Sequence, residues 1–398
     1  MVRPLADHEE AFDLNDQTLH DKPVLTWFQG EVVDGHGQGV AVIANDRYQT
    51  IAVIHGGNGT LIDLHDPELT NQGTVFVTAY RTMRWNLSSD GGSTNGTVPD
   101  GVVQEIDLKT GLVEEEWDSL DHVPVSDSDL RAPSSPATPF DYFHINGGQP
   151  LRGGDLLISS RNTSAAYEVD PADRGAVVRR LGGKASSFTM GPGTRSWYEH
   201  DVPLEAGDLV TVFDDGSDGS SSPEPRSRAL VIRLDLATHR ATLVHAFTDP
   251  LAHVLAYALG NVQDLPGGDY LVGWGTAPSY SVLAPTGHLL YDATLPAGDD
   301  SYRAYLHEWS ATPATRPSIG LTPSGAGGTV SVSWNGATAV ARWEVRSGPS
   351  ATSLHEVTTV ADTGFQTTAR PARIGRLVQA VAVGADGTVL GRSAVAGS

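Results

Sequence analysis

Two short blocks concentrate the side chains that could do chemistry. Asp141-Tyr142-Phe143-His144-Ile145-Asn146 sets aromatics, a His and an Asn at the start of a strand-like run. Glu199-His200-Asp201 sets a second His between two carboxylates. An imidazole changes charge near neutral pH, so it can give a proton, take one, or attack as a nucleophile when neutral. Arg161, in Leu157-Ile158-Ser159-Ser160-Arg161-Asn162-Thr163, and Arg228, in Arg226-Ser227-Arg228-Ala229-Leu230, could hold an oxyanion in the planar fork of a guanidinium. Each has a structural reading beside the functional one. His144 could be a satisfied core residue, His200 an ion-paired loop residue, and either Arg a salt bridge between repeats. His65 beside Asp66 and His122 beside Asp121 read as turn or loop residues, His20, His36 and His288 as surface residues, and Trp274 as core. His307 is left undecided, and His253 lies where little else is recognisable.

Other chemistries are excluded or weak. The chain has no cysteine, so disulfides, thiolate metal sites and cysteine nucleophiles are absent. No HExxH spacing exists, and Gly191-Pro192-Gly193 lacks the Lys and helix of a phosphate loop. Asp214, Asp215 and Asp218, with Gly216 and Gly219, could form an oxygen-rich Ca²⁺ loop. The downstream Glu of an EF-hand is missing, so a solvated loop is the reading and no metal or cofactor is expected. The net charge of −22 repels a phosphate backbone, which argues against nucleic acid as a partner. Any anionic substrate must then be held by specific Arg or His. No apolar run approaches the ~20 residues of a membrane span. Met1-Val2-Arg3-Pro4 runs into the acidic stretch Asp7 to Asp16 without a leader pattern. A soluble chain, secreted or cytoplasmic, is expected.

The elements that position these residues are strands. Short β-rich runs separated by Gly, Asp and Pro turns dominate from Val24 to Thr312, among them Gly39–Ile43, Thr50–Ile54, Thr74–Ala79 and Val102–Ile106. A loose repeat opens with Gly and an apolar strand at Gly73, Gly154, Gly207 and Gly268, each followed by two further strands. Units of this kind read as propeller blades, against a large sandwich or jelly roll as the alternative. A boundary falls in Thr312-Pro313-Ala314-Thr315-Arg316-Pro317. Beyond it the strand spacing shortens, and Trp334 and Trp343 sit where a two-sheet core needs them. The division expected is therefore a propeller over 1–315 and a fibronectin-III-like β-sandwich over 316–398.

Taken in order, the blocks above resemble the arylsulfotransferase family in its actinobacterial and fungal branch. Leu181-Gly182-Gly183-Lys184, Val212-Phe213-Asp214-Asp215-Gly216, Gly260-Asn261-Val262-Gln263 and Val272-Gly273-Trp274-Gly275 complete the series. Gly57-Asn58-Gly59, Asp63-Leu64-His65 and Leu120-Asp121-His122-Val123-Pro124 match upstream. The resemblance implies an all-β chain: a six-bladed β-propeller with a polar funnel, followed by the C-terminal sandwich. It implies transfer of a sulfuryl group from an aryl sulfate to a small phenolic acceptor through a transient sulfo-histidine, without a nucleotide donor. By motif, His144, His200, Arg228 and His65 take catalytic positions. His144 and His200 share the nucleophile and acid–base roles, and Arg228 clamps the sulfate oxygens. Asn146, Arg161 and Asn261 are substrate-binding candidates. The chain departs from the family at Glu199, where Gln is usual, and at Asp215, where Asn is usual. It departs again at Ala258-Leu259, Tyr280-Ser281-Val282 and Gly147-Gly148-Gln149. Two rival readings stay open: a cyclase or lyase of secondary metabolism using the same funnel without sulfate, and a non-catalytic ligand-binding propeller.

Overall fold

The computed structural model describes residues 3–299 and 301–397. Met1 and Val2, part of the segment read for a leader, lie outside them. The chain is all-β, and the only α-helix among the described residues is the single turn Ser119–His122. No helix among them is long and apolar enough to cross a membrane.

Between Glu10 and Thr294 the chain forms five antiparallel sheets in sequence order. The first holds Glu10–Leu19, Lys22–Val33, His36–Asn45 and Thr50–Ile54. The second holds Glu68–Leu69, Thr74–Trp85, Gly96–Asp107 and Val113–Asp118. The third holds Ile145–Pro150, Leu156–Ser160, Ala165–Asp170 and Ala176–Gly182. The fourth holds Leu204–Glu205, Leu209–Asp214, Arg228–Asp235 and Arg240–Phe247, with Thr189–Met190 added parallel to the last. The fifth holds Asn261–Asp264, Tyr270–Gly273, Ser279–Leu283 and Leu289–Thr294.

The glycine repeat begins one strand later than each sheet does. Gly73, Gly154, Gly207 and Gly268 have φ of 95°, 99°, 75° and 89° and sit between the first and second strands of the second to fifth sheets. Only glycine adopts such values freely, so the repeat reports a turn requirement. In the first sheet the same turn is His20-Asp21, at φ 50° and 59°, and carries no glycine to mark it.

Consecutive sheets pack against one another. Val24 to Phe28 form an unbroken buried run, as do Val210 to Asp214, because these strands are covered on both faces. The outermost strands alternate: Ala241 and Phe247 are buried, Arg240 and Thr242 exposed. Four side-chain clusters join consecutive sheets. Phe28 and Ile43 meet Val77 and Ile106. Val103 meets Ile158 and Tyr167. Ala166 meets Val210 and Val212. Phe213 and Val231 meet Val262 and Val272. Burying one side chain of this size is worth about 1.5–3 kcal/mol.

Arg303 ties the centre together. Its guanidinium pairs with Asp66, lies 3.2 Å from Asp201, and donates to the Asn146 carbonyl at 3.2 Å. These three partners belong to the second, third and fourth repeats, so the sheets begin around a common centre. The side chain is 2% exposed. Removing a buried cation strands its acids, so Arg303→Met is expected to cost about 3–5 kcal/mol, read as a fall in the denaturation midpoint.

The resemblance implies six such sheets; five are formed among the described residues. Residues 295–317 number 23, whereas the fifth sheet alone spans the 34 residues from Asn261 to Thr294. The connecting chain is too short for another meander and runs from Ser301 to Pro313 without strand pairing. Beyond it lie two more sheets. One holds Ser318–Ser324, Gly327–Ser333 and Thr367–Ala369; the other holds His355–Ala361, Arg342–Gly348, Leu377–Val383 and Val389–Arg392, with Ala396–Gly397 also paired to Leu377–Val383. Trp334, Trp343, Val345 and Val378 share their core. The Tyr48 hydroxyl donates to Gly336 at 2.7 Å, linking this unit to the first sheet.

Candidate active site

His65, His144 and His200 line one cavity of about 1040 Å³. Each sits on the segment that crosses into a new sheet: His65 before Glu68–Leu69, His144 before Ile145–Pro150, and His200 before Leu204–Glu205. One repeated crossing geometry therefore gathers residues far apart in sequence.

Local structure fixes each crossing. Ile62 bridges Gly39 and Ala79, and the Gly37 N–H donates to Asp63 Oδ1 at 2.5 Å. A Cβ on Gly37 would lie 2.3 Å from the Leu64 nitrogen, so glycine is required there. His144 has φ 50°, a conformation costing a non-glycine residue about 1–3 kcal/mol. The Arg161 N–H holds it by donating to the His144 carbonyl at 2.9 Å. His200 exchanges backbone hydrogen bonds with Phe213 at 2.9 and 3.1 Å.

All three histidines engage a carboxyl group through Nδ1. His65 pairs with Asp63, His144 with Asp141 at 2.5 Å, and His200 with Asp215 at 2.5 Å. A carboxylate accepting from Nδ1–H fixes the tautomer and leaves the Nε2 lone pair for chemistry. No group among the described residues hydrogen-bonds any of these Nε2 atoms. The His65 and His144 ring centroids are 5.7 Å apart, and His36 lies 5.2 Å from His144.

The three pairs differ electrically. Burial pushes the Asp141 carboxyl up, but His144 and His36 beside it prevail and hold it far below the usual range. Burial also raises Asp63, and His65 and the Gly37 N–H again prevail, so it is lowered. His65 is lowered, chiefly by burial. His200 falls well below its ordinary value through burial, then through Arg161 and the other two histidines. Asp215 is raised well above the usual range by burial. Neutral imidazole is the nucleophilic form, and His200 is the residue most strongly kept in it.

Arg161 is the only Arg or Lys among the residues lining the cavity. It donates to Asn162 Oδ1 at 2.8 Å and to the Tyr257 carbonyl at 2.7 Å, over the Tyr198 ring. Two of the five guanidinium donors are thus engaged.

Arg228 is not among the residues that line this cavity. Strand register sets it opposite Asp214, which is fully buried, and it pairs with Asp214 at 2.6 Å and Glu224 at 3.2 Å. Asn261 clamps the Ala304 backbone through both its amide atoms, at 2.7 and 2.8 Å. Asn146 donates to the Glu199 carbonyl at 2.9 Å and so supports the His200 segment. His36, expected at the surface, is half-buried, with Nε2 3.3 Å from Asp141 Oδ2. Trp274 is core, as expected. The loop read as solvated holds two buried acids, Asp214 and Asp215, and its three acids have separate partners: Arg228 for Asp214, His200 for Asp215, and the Ser220 and Ser221 N–H groups for Asp218. His36, Asp141 and His144 are grouped closely enough for a metal. The 2.5 Å between His144 and Asp141 is hydrogen-bond spacing, however, and two ligands of one ion lie about 3.3 Å apart.

Glu199 does not add charge to the site. Burial pushes its carboxyl up to about 8, so at neutral pH it keeps a proton and presents one donor and one acceptor, as Gln would. The unfolded carboxyl titrates near 4.5. Between 4.5 and about 8 the folded state binds more protons, so this group's stabilisation is complete below 4.5 and is lost as pH rises to about 8. Glu199→Gln is expected to match the wild-type melting temperature at the acid end of that window and exceed it at the alkaline end, as a melting series across pH would read.

Sequence reasoning missed the acidic partners and Arg303. Asp63 and Asp141 stand two and three residues before their histidines and were legible in the motifs. Asp215 reaches His200 only through the fold.

No curated protein matches the chain. Among solved structures, a catalytically inactive virginiamycin B lyase from Staphylococcus aureus with quinupristin is 11% identical, with TM-score 0.38, over 97% of this chain and 94% of that one. A luciferin-regenerating enzyme is 10% identical, with TM-score 0.40, over 90% and 94%. A Bacteroides caccae protein of unknown function is 13% identical, with TM-score 0.37, over 75% and 80%. The arylsulfotransferase (ASST) family model matches residues 15–293, most of the chain and every histidine of the cavity, and the protein belongs to that family.

Proposed function

We propose that this protein transfers a sulfuryl group from an aryl sulfate to a phenolic acceptor through His200. The observation that carries the reading is the convergence of three Nδ1-anchored histidines and one arginine on a single cavity. Sulfuryl transfer places charge on peripheral oxygens, so positioned cationic donors do most of the work. The His200 Nε2 lone pair attacks sulfur, the sulfur–aryl oxygen bond breaks, and the phenolate takes the Nε2 proton of a cationic His144, whose Nδ1–H stays on Asp141. The acceptor phenol then attacks sulfur, returns its proton to His144, and the nitrogen–sulfur bond breaks. Arg161 holds the sulfuryl oxygens, and His65 lines the cavity beside His144, ring centroids 5.7 Å apart. The five sheets with residues 303–307 read as a propeller whose sixth position holds only this unpaired segment. Residues 316–398 read as a fibronectin-III-like sandwich with a packing or accessory role.

The test is release of a chromogenic phenol from its sulfate ester, with and without a second phenol. Acceptor-dependent release, with one SO₃ unit trapped on His200 by mass spectrometry when acceptor is withheld, is expected. A folded protein that releases nothing would favour sulfate-independent chemistry in this funnel, or ligand binding alone.

A further inference from the structure

The seam between the fifth sheet and the first has no joining cluster among the described residues and holds a cleft of about 980 Å³. Tyr280 and Tyr291 stand on one wall, Phe12 and Leu14 on the other, and residues 301–307 form the floor. Leu14, Tyr291 and Leu306 are 59%, 54% and 57% exposed, large apolar groups left uncovered.

The floor segment is held along one side by side-chain amides and left open along the other. Gln149 clamps the Leu204 backbone of the next sheet at 2.8 and 3.4 Å. Gln263 clamps the Leu306 N–H and carbonyl in the same way, at 2.8 and 3.1 Å, two residues beyond the Asn261 clamp on Ala304. Alternate residues of this segment thus face the fifth sheet, at strand spacing. The residues between and beyond, Tyr305 and His307, have no backbone hydrogen bond among the described residues. Three residues that line this cleft carry buried polar atoms: among the described residues Tyr302 Oη and Arg303 Nε have no hydrogen-bond partner, and the Asp13 side chain meets the Asp66 carboxyl.

We propose that this cleft docks one extended segment of a partner protein, added as a strand along Tyr305–His307. Main-chain hydrogen bonds supply the affinity and alternate apolar side chains fill the walls. The segment carries a Lys or Arg, because Asp13 and Asp16 line the cleft while its Arg303 is already paired with Asp66 and Asp201. A second copy of this chain is a poor occupant, since each carries a net charge of −22. This docking does not depend on the reaction assigned to the histidine cavity.

The probe is a fluorescein-labelled Thr-Val-Lys-Val-Thr-Val peptide titrated into the full-length protein, followed by anisotropy and amide exchange. Saturable binding is expected with Kd of about 10–100 μM, weakened about tenfold by Glu in place of Lys and abolished by Pro in place of the central Val. The Tyr305 and His307 amides should become protected. Leu306→Asp, at an exposed position, should weaken binding about tenfold without lowering the melting temperature. No saturable binding, or binding indifferent to the Pro peptide or to Leu306→Asp, overturns the proposal. A concentration-dependent dimer lost in Leu306→Asp would give the cleft to a second copy and overturn it as well.

Discussion

His200→Ala is expected to lower phenol release from an aryl sulfate by at least about 10³-fold and to leave no trapped SO₃ on the protein. The size of the effect follows from what is lost. Without the imidazole there is no nitrogen to receive sulfur, and one difficult displacement is no longer divided into two. The substitution also opens a buried space beside Asp215, whose carboxyl burial already raises well above the usual range. Folding should survive, as a melting curve would show. Added imidazole fits the vacated volume and should restore part of the rate. His144→Ala has a different signature: release slows by about 10²–10⁴-fold, the loss of an acid–base group, yet the SO₃ adduct still forms slowly on His200. An adduct that persists in His200→Ala and vanishes in His144→Ala would exchange the two roles.

That contrast could not be drawn from the motifs. They named both histidines because each lies in a recognisable block, but a block does not say how deep a ring sits or what touches its second nitrogen. Asp141 sits three residues from His144 on one loop, so the pair is local and readable. Asp215 meets His200 because Phe213 bridges His200 across two strands, a contact that exists only once the fourth sheet is folded. The fold was legible to a similar degree. Strands beginning after a left-handed glycine were found from their turns. Ile145–Pro150, nearly all small or polar, and the two-residue strands gave no hydrophobic pattern to read. The first sheet lost its marker because His20-Asp21 replaces the glycine turn. Glu199 and Asp215 stand in the sequence as departures from the family's Gln and Asn. Burial alters both, which composition alone does not disclose.

Arginine shows where motif and geometry part, and a pair of substitutions separates them. Arg161→Met is expected to lower kcat/KM by about 10²–10³-fold, the usual cost of removing one preorganised donor to developing charge. Inorganic sulfate should compete less well against the variant, and Arg161→Lys should recover only part of the loss, because an ammonium cannot offer two parallel donors. Arg228→Met is expected to behave in the opposite way. Its guanidinium is spent on Asp214, whose side chain is fully buried, so the variant strands a carboxyl and loses about 3–5 kcal/mol of stability. Per folded molecule its kcat/KM should stay within about twofold of wild type, because Arg228 does not line the cavity. Measured together at a temperature where both variants are folded, the two make a crossed design, one losing rate and keeping stability, the other the reverse. If Arg228→Met instead loses rate while keeping its melting temperature, the Asp214 pair must open during turnover and hand its guanidinium to the substrate. The sulfuryl clamp would then belong to Arg228, and Arg161 would serve only to hold His200 neutral.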